Sequence, residues 1–157
     1  GIWEGEQMSD IVNDYKNATN VITQKVITEN PSVMAAALKD VEQVSVNMTK
    51  YGFSTNEYIK AEYSHIRRNL LRMLRLIQTM CNTVDHEEIA RLKLELDKNK
   101  NKFDAISSNS LDSLIRNRLI TDAMATSIMN DNALSRSIAK NLRHAAEIIT
   151  KSQEIDA

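Results

Sequence analysis

Ile59, Tyr63, Ile66, Leu70, Met73, Ile77, Met80 and Val84 recur at alternating steps of four and three. Only a helix returns such positions to one face, and a helix with one long apolar stripe must bury it against other helices. Just upstream, Ser54-Thr55-Asn56-Glu57 has the form of a capping box, with Ser at the cap and Glu three residues on. The spacing therefore predicts a helix from there to about Thr83.

The rest of the chain repeats this pattern. Over 6–29, Met8, Ile11, Tyr15, Ala18, Ile22 and Val26 keep the same steps, with Asp10, Asn13, Lys16 and Gln24 facing out. Asn30-Pro31 interrupts: Asn caps, and Pro opens the next helix where its missing N–H is harmless. That helix rests on Met34, Leu38, Val41, Val44 and Met48 and runs to Tyr51, with Gly52 expected to end it. So short a break allows a kinked long helix or a tight hairpin, and the hairpin is expected over 6–52.

A box-like cap, Asp85-His86-Glu87-Glu88, starts a helix carried by Ile89, Leu92, Leu96, Phe103, Ile106, Leu111, Leu114 and Ile115 to about Arg118. Its polar middle, Asp97–Lys102, is expected to be exposed or overhanging, and Ser107–Ser110 to bend it. Thr121 caps the last helix, with Asp122 in a first turn that favours an anion. Met124, Ile128, Leu134, Ile138, Leu142, Ala145 and Ile149 form its stripe, to about Gln153. Five helices with short links predict an all-α antiparallel bundle forming one domain over 1–157.

Composition agrees. Three Gly, one Pro and 4% aromatic residues in 157 argue against sheets with tight turns. Twenty Lys and Arg against 21 Asp and Glu give a net charge of −1, so no nucleic-acid partner is expected. Cys81 alone cannot form an internal disulfide, which favours a reducing compartment. No run of 18 apolar residues occurs, so no membrane insertion of this chain is expected. The first residues, Gly1-Ile2-Trp3-Glu4-Gly5, lack the basic and apolar regions of a signal peptide. A start at Gly rather than Met suggests an excised piece of a longer protein.

Two features ask for more than packing. Arg67, Arg68, Arg72 and Arg75 flank the helix over 57–83, and Arg68, Arg72 and Arg75 lie at i, i+4 and i+7. One interpretation is a solvated face whose aliphatic stems cover the core edge; the other is a landing site for a phosphate or an acidic partner. The last helix has an impure seam: Thr126, Ser127, Asn130, Asp131 and Ser135 sit on or beside its stripe, and buried polar side chains need partners.

Catalytic and metal signatures are sparse. Glu62-Tyr-Ser-His65 has the Glu-x-x-His spacing of carboxylate-bridged metal helices, yet neither His86 nor His144 completes a second one. Cys81 beside Met80 in an apolar seam has no orienting partner and belongs to a core. There is no Gly-rich phosphate loop and no zinc spacing. The expectation is a non-enzyme with no cofactor and no metal.

Ala125-Thr-Ser-Ile-Met-Asn-Asp131, with Ile138-Ala-Lys-Asn-Leu142 and Ala145-Ala-Glu147, is similar to the last helix of PhoU-like domains. Among these it most resembles those at the cytosolic C-terminus of bacterial sodium/phosphate cotransporter family proteins. Ile66-Arg-Arg-Asn-Leu-Leu-Arg-Met73 resembles that family's first bundle helix. The likeness spans about 57–152, with 6–52 as a preceding hairpin. It implies a PhoU-like bundle in the cytoplasm, attached to an inner-membrane protein, with a regulatory role in phosphate transport and the transporter's membrane region as partner.

PhoU proteins bind metal through Glu/Asp-x-x-x-Asp pairs, whose members share a helix face. Laid on that pattern, this chain has Arg136 and Lys140 in place of the two acids, and such a pair would repel a cation. The resemblance thus implies a basic outer face there, with Asn130, Asp131, Ser135, Asn141 and His144 as a polar seam of interhelical hydrogen bonds. A free-standing signalling or scaffold bundle is the alternative, and a metal-binding PhoU-type regulator using Asp131 a further one. Self-association stays open, since the Trp3 end and the Met-bearing helix over 31–51 could bury against a second copy.

Overall fold

The computed structural model describes Asn13, Asn17 and residues 32–156, with side chains described at 39–101 and 111–151 of that span. The helix expected over 6–29 lies outside the described residues apart from Asn13 and Asn17, which are helical and exposed. The choice between hairpin and kink, and the Trp3 end, lie outside as well.

Four helices follow: α1 (Ser32–Gly52), α2 (Glu57–Cys81), α3 (His86–Arg116) and α4 (Asp122–Asp156). α1 is 21 residues long, about 30 Å, whereas a link of four residues reaches about 14 Å at most. Consecutive packed helices must therefore run antiparallel. α4 packs against the other three helices, α2 packs against α1 and α3, and α2 and α4 meet across the middle. The described residues thus form an all-α bundle with α2 and α4 along its short diagonal.

The stripe that announces α2 is its core. Ile59, Tyr63, Met73, Ile77 and Met80 are wholly buried, with Ile66 and Leu70 nearly so. They meet Val41, Val44 and Met48 of α1, Ile89, Leu92 and Leu96 of α3, and Ile128, Ile138, Leu142 and Ile149 of α4 in one cluster. Truncating one such side chain, as in Leu70→Ala, costs about 2–5 kcal/mol through lost transfer energy and the cavity left behind. Cys81 is buried in the same cluster. Val84 is not part of it: it lies past the helix end and is exposed.

The caps differ from expectation in one instructive place. Asn56, not Ser54, caps α2, its side-chain oxygen accepting from Tyr58 N at 3.0 Å and Ile59 N at 3.1 Å. Ser54 Oγ accepts from Asn56 N instead. An amide has a second end that a hydroxyl lacks, and Asn56 Nδ2 donates to Leu119 O at 2.9 Å. This ties the α1–α2 link to the α3–α4 link at one end of the bundle. Asp85 caps α3 through Glu87 N, while Glu88 turns to Arg91 rather than closing a box. Thr121 caps α4, accepting from Met124 N at 3.1 Å.

Helix ends also carry corrections. Gly52 is the last residue of α1 and is buried, and no glycine among the described residues has positive φ. Arg118 instead takes the left-handed conformation, φ 54°, where glycine is usual. Leu119 N donates to Leu114 O and Arg118 N to Ile115 O, the paired bonds of a Schellman ending. α3 continues unbroken through Ser107–Ser110. Its polar middle does not overhang, because Asn99 is 2% exposed and Asp97 pairs with Arg143 of α4.

Candidate functional site

Two polar features stand out, one on the surface and one inside. Arg68, Arg72 and Arg75 are exposed along α2 and, with Leu71, Leu76 and Thr79, line a groove of about 270 Å³. Helical spacing puts the three guanidinium groups on one side over about 10 Å. Leu71 is buried and Leu76 half-buried, so the groove has an apolar floor and a cationic rim. Thr79 Oγ1 donates to Arg75 O and is engaged with its own helix. Arg67 does not join the stripe: it is one position round the helix and 4% exposed, so the chain's arginine run splits into one buried and three solvent-facing members.

The interior feature centres on Asp131, 2% exposed on α4. Its Oδ2 accepts from the Tyr63 hydroxyl of α2 and from Asn47 Nδ2 of α1 at 3.0 Å. Ser135 Oγ donates to Asp131 O at 2.6 Å. Tyr63 in turn stacks on Tyr51, with ring centroids 5.3 Å apart and planes 19° from parallel. Burial raises the Asp131 carboxyl above its ordinary value, although the bonds from Tyr63 and Asn47 pull the other way. Burial, then the hydrogen bond to Asp131, pushes the Tyr63 phenol far above its own. A proton here is held firmly on the phenol, and three helices converge on one carboxylate oxygen.

The expected polar seam is thus only partly gathered. Asp131 and Ser135 are buried together, Asn141 is half-buried, and Asn130 and His144 are exposed. Asn132, 8% exposed, takes the inward position expected of Asn130, because a two-residue offset on a helix changes face. Arg136 and Lys140 are exposed, and neither lines the groove of α2's arginines. Glu62 is buried and His65 exposed, so this Glu-x-x-His pair does not present to one environment. Among the described residues, no group of three His, Cys, Asp or Glu is placed to hold a metal ion.

Tyr63 and Asn47 are the contributors that spacing alone missed. Tyr63 counted as an apolar member of its stripe, yet a buried tyrosine hydroxyl requires a partner, and this was the available signal. Asn47 carries no signal of its own. No family model, curated protein or solved structure matches this chain.

Proposed function

We propose that this bundle is a non-catalytic interaction domain that grips an acidic protein segment in the α2 groove. One observation carries this: three exposed arginines line a single groove over apolar Leu71 and Leu76. A lone phosphate engages one or two guanidinium forks, whereas a row of about 10 Å suits carboxylates spaced along a partner helix. The leucine floor suits that helix's apolar residues.

The resemblance of 66–73 and 125–147 to PhoU-like domains supports a setting for this grip. The partner would be the cytosolic side of a sodium-dependent phosphate transporter, with the domain regulating uptake. The test is Arg68→Glu with Arg72→Glu in the full-length protein in its native host. Altered phosphate uptake with unchanged protein level is expected; uptake identical to wild type at every phosphate concentration counts against the transport setting.

A further inference from the structure

Antiparallel topology puts the α1–α2 and α3–α4 links at the same end of the bundle, and the Asn56–Leu119 bond of 2.9 Å holds them together. Of the eight large apolar side chains exposed among the described residues, four belong to this end: Phe53 at 69%, Tyr58 at 47%, Ile115 at 41% and Leu119 at 36%. Lys50, Lys60, Arg116 and Arg118 belong to the same helix termini and links, against Glu57 and Asp122. Apolar and aromatic tips within a cationic surround have a recognisable physical use. They sink to the headgroup boundary of a bilayer while the cations meet anionic lipid.

We infer that this end of the bundle docks on an anionic membrane surface, with Phe53 and Leu119 entering the interface and the four cations resting on the headgroups. No helix among the described residues is long and apolar enough to cross a membrane, so the contact is superficial. It is separate from the α2 groove: Tyr58 and Arg68, the groove residue nearest this end, are 10 residues apart on one helix, about 15 Å. One surface can therefore be removed without touching the other.

The experiment is co-sedimentation of the full chain with vesicles of mixed phosphatidylcholine and phosphatidylglycerol, and with pure phosphatidylcholine. Phe53→Ser with Leu119→Ser is the variant; both positions are exposed, and circular dichroism checks that it folds. Wild type is expected to sediment with the mixed vesicles and far less with the neutral ones. The variant is expected to bind about tenfold more weakly or worse, as loss of one buried apolar side chain alone implies. Absence of binding to the mixed vesicles, or binding that the variant leaves intact, would overturn the inference. So would a wild-type dimer in lipid-free buffer that the variant abolishes, because the patch would then belong to a second copy.

Discussion

Tyr63 of α2 donates its phenolic hydrogen to Oδ2 of Asp131 on α4, across the diagonal of the bundle. Asn47 of α1 donates to the same oxygen. One buried carboxylate oxygen therefore fixes the register of three helices that apolar packing alone would let slide. Removing the acceptor while keeping the donors is the costly change. Asp131→Ala strands a buried hydroxyl and a half-buried amide and should lower stability by about 2–4 kcal/mol, whereas Tyr63→Phe removes only one bond to the carboxylate, about 1.5–3 kcal/mol. Urea denaturation of both variants measures this; equal, negligible losses would show that the node does not hold the helices.

The pH dependence has a definite sign. Asp131 is raised above 3.8 in the folded protein, so the folded state binds this proton more tightly than the unfolded chain. Its contribution is present in full below the unfolded value and is lost as pH rises through the folded one. In Asp131→Asn the amide oxygen can still accept both bonds, and nothing titrates. The variant should therefore gain stability relative to wild type as pH rises from about 4 to 7. Midpoints of chemical denaturation across that range check it, and a difference that does not vary with pH contradicts it.

Arg118 supplies a prediction of the opposite direction. Its left-handed backbone, φ 54°, costs a non-glycine residue about 1–2 kcal/mol, part of which glycine gives back through its freedom in the unfolded chain. Arg118→Gly should stabilise the protein by about 0.5–1 kcal/mol and raise its melting temperature. A lower melting temperature would mean that the arginine side chain contributes more than its backbone costs.

The bundle was legible because the helical period does the same work in every segment: the stripe of α2 and the buried part of α4's are core residues. Local signals failed where a side chain acts over a distance. Asn56 outcompetes Ser54 at the cap through its reach to Leu119, which no window around residue 56 contains. The polar run at 97–102 read as solvated, but Asp97 finds Arg143 from another helix. The candidate site was half visible. Arg68, Arg72 and Arg75 follow from spacing, whereas the buried fate of Arg67 and the meeting of Asn47, Tyr63 and Asp131 depend on which helices become neighbours.

If the α2 groove receives an acidic protein segment, a partner must lie against Thr79 when it is bound. A photoreactive benzoylphenylalanine at Thr79, on the groove wall, with a control at exposed Leu94 on α3, tests it in living cells. An adduct is expected from position 79 whose crosslinked peptide is rich in Asp and Glu, absent from position 94 and lost when Arg68→Glu, Arg72→Glu and Arg75→Glu are combined. No adduct above the position-94 control, or one that survives charge reversal of the groove, would contradict it.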